Sequence, residues 1–384
     1  MSYKRKRLPL IGGFNKMDLP SVVSINESFY PHQGGAEIRA FETLTRLSRK
    51  GFSIKVLTNP FPEKVDVPGL DMEYITDLNE SQYFKKGSRK YMGVREFSYR
   101  IKNRLKHNSQ EDIYLFDEFP LLPAIKGADA LPFNKTKFFT WHEVLGRYYN
   151  QRGLLWRIAA GWENKVAKSF TNNIAVSNSV ASMIRNNYNI SNVSVVENGI
   201  NSYDYQKKCG KEWGKLIYIG RLEPHKRVDQ LIKKVKNIPE FNLEVIGSGS
   251  LENQVHSLAR DANNINFLGN LGREEMIDHL AKSWIFVMPS YREGFSIASL
   301  EAMAASVPVT TIGGPYNMAA NEIIRDGENG LVASGFDDML NKIKTLYTDE
   351  TAWKRLSMNA KEFSRRYDWE VITEKLSKTL LSSW

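Results

Sequence analysis

The run Glu293-Gly294-Phe295-Ser296-Ile297-Ala298-Ser299-Leu300-Glu301 sets two carboxylates eight residues apart around a stretch of free amides. A helix is expected to begin there, with Glu301 about two turns inside it. Carboxylates take hydroxyl protons, and the N–H groups of a helix start take phosphate or sugar oxygens, so the pattern suits a polyhydroxylated ligand carrying a phosphate. As a bare spacing, a capping Glu293 and a solvated Glu301 would explain it as well. A second loop, Gly220-Arg221-Leu222-Glu223-Pro224-His225-Lys226-Arg227, puts a guanidinium and an ammonium five residues apart at another helix start. Such a pair neutralises a leaving diphosphate, with structural salt bridges as the competing reading. Two glycine turns complete the set, Tyr30-Pro31-His32-Gln33-Gly34-Gly35-Ala36-Glu37 and Val245-Ile246-Gly247-Ser248-Gly249-Ser250. Backbone approaches a ligand closely at such turns, although each alone is of low specificity.

These loops need strands in front of them and helices behind. Short β-branched or aromatic runs supply the strands: Ser21 to Ile25, Phe52 to Leu57, Asp112 to Phe116, Lys137 to Trp141, Asn173 to Val176 and Val193 to Val196 in the first half, then Leu216 to Ile219, Asn242 to Ile246, Ile265 to Phe267, Ile285 to Met288 and Val307 to Thr311. Helical patterns lie between them, such as Ala36 to Lys50 with its stripe of Ile38, Phe41, Leu44 and Leu47. The alternation predicts an α/β protein with two doubly wound parallel sheets, whose ligands sit at the carboxyl ends of the strands. A length of 384 residues agrees with two domains, and the weak periodicity from Asn198 to Gly214 places the linker.

Composition narrows the class. At 42% hydrophobic and 25% charged, the chain is neither disordered nor fibrous. A single cysteine, Cys209, excludes an intrachain disulfide and a thiolate metal cluster, which fits a reducing, cytoplasmic setting. The four apolar or small residues after Lys4-Arg5-Lys6-Arg7 are too short for a signal peptide, and no stretch approaches the ~20 apolar residues that cross a bilayer. The net charge of +10 lies wholly in residues 1–200, with 29 Lys and Arg against 19 Asp and Glu, while the remainder balances at 24 each. Much of it falls between Lys85 and His107, where Tyr91, Val94, Phe97, Ile101 and Leu105 form the apolar stripe of an amphipathic helix. That helix either packs on its own sheet with solvated cations outside, or meets an anionic surface such as the inner membrane face. Arg147, Tyr148, Tyr149 and Arg152, followed by Leu154, Leu155 and Trp156, would extend such a surface. Nucleic-acid binding by the basic half is the reading from another class, ranked low because no recognition motif accompanies the charge.

Taken in order, the pieces resemble the retaining glycosyltransferases of family 4, which have the GT-B fold. The resemblance runs over nearly the whole chain: Gly34-Gly35-Ala36-Glu37, Trp141-His142-Glu143, Ala175-Val176-Ser177, Glu197-Asn198-Gly199-Ile200, Gly220-Arg221 with Lys226, Phe267-Leu268-Gly269, Glu293 to Glu301 with Glu301-Ala302-Met303-Ala304, and Asp326-Gly327-Glu328-Asn329-Gly330-Leu331. It implies transfer of a sugar from a nucleotide sugar, UDP-linked by preference, to a lipid-linked, polysaccharide or other glycan acceptor, with no cofactor. Arg221 and Lys226 would neutralise the diphosphate, and Glu301 would hold the ribose. Glu293, with the amides of Gly294, Phe295 and Ser296, would orient the donor sugar, which His142 would contact near the reacting carbon. Gly34, Gly35, Gly220, Gly247, Leu268 and Leu300 would complete the donor site. The implied mechanism is same-face displacement, and the lack of an Asp-x-Asp triplet suits a metal-independent site. A nucleotide-sugar epimerase or a disaccharide synthase on the same fold is the neighbouring alternative. The implied organisation is an acceptor-side domain over residues 1–200 and a donor domain over residues 201–367. A final helix, 368–384, would cross back onto the first. Ser296 departs from a frequent glycine, so its side chain is expected to bear on how the donor sugar fits. The stretch from Gly313 to Glu322 is also longer than the family pattern.

Overall fold

The computed structural model describes all residues except 1–18, 33, 86–87, 119, 145–153 and 207–209. The Lys4 to Arg7 run, Lys86, the Arg147-Tyr148-Tyr149 and Arg152 group and Cys209 lie outside the described residues, as do the side chains of Leu154, Leu155 and Trp156.

Two parallel sheets organise the chain. The first contains β1 Ser21–Ile25, β2 Ser53–Thr58, β3 Asp71–Tyr74, β4 Ile113–Asp117, β5 Thr136–Trp141, β6 Asn172–Ala175 and β7 Val193–Val195, in spatial order 3-2-1-4-5-6-7. The second contains β8 Lys215–Ile219, β9 Asn242–Ile246, β10 Ile265–Gly269, β11 Ile285–Met288, β12 Val309–Ile312 and β13 Gly330–Ala333, in order 10-9-8-11-12-13. Strands such as Ile-Phe-Val-Met at β11 are buried along their whole length, because helices cover both faces of a doubly wound parallel sheet. The order reverses beside β1 and again beside β8, which opens a crevice at the carboxyl end of each sheet.

The strands expected from the sequence are present, three with the expected bounds and the others with ends shifted by at most two residues. β3 and β13 were not anticipated: Asp-Met-Glu-Tyr and Gly-Leu-Val-Ala are four residues each and lack a run of β-branched residues. The basic segment is corrected at its start. Phe84–Lys85 pairs antiparallel with Ser88–Arg89, Lys90 N–H closes onto the Tyr83 carbonyl at 2.7 Å, and the helix runs only from Tyr91 to His107.

The helix Trp369–Ser383 packs on the helix Gly35–Lys50 of the first domain. Trp369, Ile372, Leu376 and Leu380 recur every three or four residues and share a core with Val22, Leu44 and Leu47. Each such buried side chain contributes about 1.5–3 kcal/mol. The pairs Lys50 with Glu374 at 2.8 Å and Arg46 with Glu370 at 3.2 Å fix its register. The largest apolar cluster is continuous between the sheets, joining Val23 and Trp141 of the first to Met288, Phe295 and Leu300 of the second.

Candidate active site

On the second sheet, the loops after β8 and β9 touch. A Cβ on Gly247 would fall 2.0 Å from the Gly220 carbonyl oxygen, and Gly247 itself has φ +139, so both bulk and conformation require glycine. The Tyr218 hydroxyl donates to the Arg221 carbonyl at 2.9 Å and anchors the following turn. Pro224–Lys226 then forms a 3-10 turn that aims the Lys226 ammonium at the Glu293 carboxylate, with which it is hydrogen-bonded and largely buried. Arg221 is exposed, and among the described residues no carboxylate lies within ion-pairing range of it. His225 reports the local field: burial first, then Lys226, Arg292 and Arg221, press its pKa down to about 3, so the imidazole is neutral among three cations. Three cations thus converge on this side of the crevice.

On the first sheet, two consecutive acids, Asp117 at the end of β4 and Glu118 after it, hold the loop after β5. Glu118, fully buried, accepts the amide N–H of His142 and, at 2.8 Å, that of Glu143. Burial, then the nearby Glu143 and Glu163, hold its carboxyl well above the usual range. Asp117 Oδ1 lies 3.2 Å from His142 Nε2. The loop so held meets the second domain: a Cβ on Gly294 would stand 2.0 Å from the His142 carbonyl oxygen, and Arg292 Nε lies 3.3 Å from Glu143 Oε2. Gly294 is thus fixed by a close backbone approach between the domains.

The start of the helix Ile297–Ala304 lies against the first domain as well. A Cβ on Gly35 would meet Ile297 Cδ1 at 3.7 Å, whereas Gly34, the residue capping the helix Gly35–Lys50, is overlaid by the Glu37 carboxylate. Glu301 sits in the second turn of its helix, closer to the start than expected, because the helix opens only at Ile297. It is no solvated helix residue: the Tyr205 hydroxyl donates to its Oε1, and Arg273 Nη1 lies 3.8 Å away. Burial raises its pKa, against the Tyr205 hydrogen bond and Arg273. Leu300 is fully buried beneath it and Leu268 half-buried in β10.

The side chains of Ser296 and Phe295 are engaged within the protein. The Ser296 hydroxyl is buried and caps its own helix, accepting Ser299 N–H at 3.2 Å and a hydrogen bond from Ser299 Oγ at 2.8 Å. The Phe295 ring packs against Tyr367 at 5.7 Å, leaving only its backbone to a ligand. Four further residues were missed. Asp117 and Glu118 lie directly after a recognised strand, and that position was a readable signal. Tyr205 and Arg273 reach Glu301 from distant segments and carry no local signal at all.

Two facing parallel-sheet domains with phosphate-suited loops at the cleft define a GT-B protein. Residues 33–202 match the model of Glycosyltransferase Family 4 and residues 206–363 that of Glycosyl transferases group 1, and the chain belongs to this family. It is 34% identical over 182 residues to an uncharacterised glycosyltransferase of Methanocaldococcus jannaschii, covering 46% of this chain and 50% of that one. The chain thus spans about half the length of the curated relatives it matches. Among solved structures it is similar to sucrose-phosphate synthase from Thermosynechococcus elongatus, with a TM-score of 0.79, 16% identity and coverage of 94% and 98%. It is likewise similar to Anabaena HepE in complex with UDP-glucose, with a TM-score of 0.73, 18% identity and coverage of 94% and 100%. At such identities the likeness speaks for the fold.

Proposed function

We propose that the chain is a retaining glycosyltransferase that binds a nucleotide sugar, UDP-linked by preference, and passes the sugar to a glycan or lipid-linked acceptor held by the first domain. The observation that carries this reading is the Lys226 and Glu293 pair standing beside the Gly294 contact with His142. A diphosphate at Arg221 and Lys226 would set its sugar against Glu293 and His142, with its ribose towards Glu301. Within the described residues, the amides of Gly294, Phe295 and Ser296 are not engaged by other backbone groups, which leaves them for donor oxygens. In same-face displacement the departing diphosphate takes the acceptor proton, and the two cations stabilise its growing charge without a metal. The complex of HepE with UDP-glucose supports the choice of base.

For the acceptor side, Arg89, Arg100 and Arg104 are ion-paired with Glu27, Glu96 and Glu73. What the helix Tyr91–His107 leaves exposed is Tyr91, Met92 and Tyr99 together with Arg95, Lys102 and Lys106. This mixed aromatic and basic face suits an anionic membrane surface near a lipid-linked acceptor. The deciding experiment is the thermal midpoint with UDP, GDP and ADP, each with and without EDTA, for wild type and Arg221→Ala. A shift with one nucleotide, indifferent to EDTA and lost in the variant, supports the reading; no shift with any overturns the donor-site assignment. Anomeric NMR of the product then tests retention.

A further inference from the structure

Arg39 has no part in the reading so far. It projects from the helix Gly35–Lys50 into the first domain and is 4% exposed. Its Nη1 donates to the Glu197 carbonyl at 2.5 Å and to Asn198 Oδ1 at 3.1 Å, where the chain leaves β7 for the second sheet. Its Nη2 is buried and has no hydrogen-bond partner among the described residues. Burial lowers its pKa to about 10, against the pull of Asp117 and Glu197, so it remains a cation at neutral pH.

Beside Arg39 lies a small cavity of about 30 Å³, also lined by Ser24, Asp117 and Thr140. Roughly 10–15 Å³ is enough for one water if two to four polar groups surround it. A buried guanidinium N–H without a partner, opposite a carboxylate in a space of that size, meets both conditions. On its other side Asp117 reaches His142 Nε2 at 3.2 Å, while its Oδ2 receives Asn26 Nδ2 at 3.4 Å.

We propose that Arg39, Asp117 and one water in the cavity between them form a positioning relay for His142, coupling its imidazole to the segment that joins the two sheets. A carboxylate accepts, so Nε2 carries the proton and Nδ1 is left as an acceptor; which nitrogen is protonated is set by the bond the other groups impose. Glu118 holds the backbone of the same residue, so peptide and ring are fixed by consecutive acids. Any movement of Glu197 and Asn198 as the domains close would reach the ring through Arg39. The catalytic consequence rests on the donor-sugar role proposed for His142; the relay itself does not.

The test uses the full chain with its six histidines labelled with ¹⁵N, His142→Gln assigning the resonance of interest. Two-bond ¹H–¹⁵N spectra report which ring nitrogen is protonated. Wild type should show the proton on Nε2; Asp117→Asn and Arg39→Met should both change the pattern, and Arg39→Lys should restore most of it. Leu376→Ala lines the same cavity without charge and should leave the pattern unchanged, which separates the relay from loss of packing. In turnover, kcat should fall on the order of 10²-fold for Asp117→Asn and about tenfold for Arg39→Met, with donor KM moved less than about threefold. An unchanged His142 pattern in Asp117→Asn or in Arg39→Met overturns the relay. If wild type binds no nucleotide, the transferase reading falls while the spectra still decide the relay.

Discussion

Six strands of each domain follow one order, and the two domains put opposite charge on the two sides of its reversal. After β8, the second domain presents Arg221, neutral His225 and Lys226, with Arg292 close by. In the first domain, β4, the strand on the other side of the reversal, ends at the half-buried Asp117 and is followed by the buried Glu118, both engaged with the loop of His142. Topology supplied a crevice twice, and the loops gather cations at one while acids hold a histidine loop in position at the other. The acids of the first domain act on backbone and ring of His142, and the cations of the second act outward. The two strands that flank a reversal therefore carry different charge, cations gathered in the loop after one and acids holding a neighbouring loop after the other.

The strongest way to break this contrast is to remove the outward charges. Lys226→Ala and Arg221→Ala should each lower kcat/KM on the order of 10²–10³-fold, since donors aimed at charge that develops in the transition state are the most costly to lose. Thermal stability should change little for Arg221→Ala, whose side chain is exposed. Steady-state kinetics beside a melting curve checks both. Equal loss of stability and activity would mean the loop is structural.

The inward charges should behave in the opposite way. Glu118→Ala leaves two amide N–H groups without their acceptor in a buried site, a cost of about 1–3 kcal/mol in stability, whereas Glu118→Gln keeps an acceptor oxygen and should cost less. Denaturant midpoints of the two variants, compared at equal m-value, give the difference. A third variant probes where the domains meet. Glu322 of the second domain accepts Asn178 N–H at 3.0 Å, Asn178 Nδ2 at 2.6 Å, Ser179 N–H at 3.2 Å and Ser179 Oγ at 3.1 Å, closing over the start of the helix Asn178–Tyr188. Glu322→Ala removes a carboxylate from a helix N-terminus, and about 1 kcal/mol of preference for the closed arrangement should go with it. Small-angle scattering should then show a larger radius without ligand, restored by nucleotide.

Much of this was legible in the chain. The two parallel sheets followed from apolar runs alternating with helical stripes, because a strand buried on both faces must be continuously apolar. The cation and glycine loops were legible because they follow those strands directly. Partners brought together by the tertiary fold were not: Tyr205 lies 96 residues from Glu301, and Glu322 lies 144 from Asn178. The length of the segment from Gly313 to Glu322 was visible, but its use in bridging the domains was not. At Ser296 the departure from glycine was visible, but the capping of its own helix by that hydroxyl was not. The hairpin at Phe84 to Arg89 interrupted a helical period that composition alone would have continued.

The smallest expected effect sharpens the comparison through acidity. His225 in the second domain has a folded pKa of about 3 against an ordinary 6.5, so the unfolded chain binds the extra proton and stability is lost as pH falls from about 6.5 towards 3. Glu27, in the first domain after β1, is raised to about 7 from 4.5, chiefly by burial and against the opposing charge of Arg89. Here the folded chain binds the extra proton, so stability is lost as pH rises from about 4.5 through 7. The two domains should therefore slope in opposite directions over neighbouring windows. His225→Gln should flatten the acid limb of the Tm profile and Glu27→Gln the limb towards neutrality, each by roughly a few degrees. A bound diphosphate would also raise the His225 pKa, so nucleotide binding at pH 5 should take up protons in wild type and not in His225→Gln. Calorimetry in buffers of different ionisation enthalpy measures that uptake directly; equal uptake by both proteins would place the anion away from the cation loop.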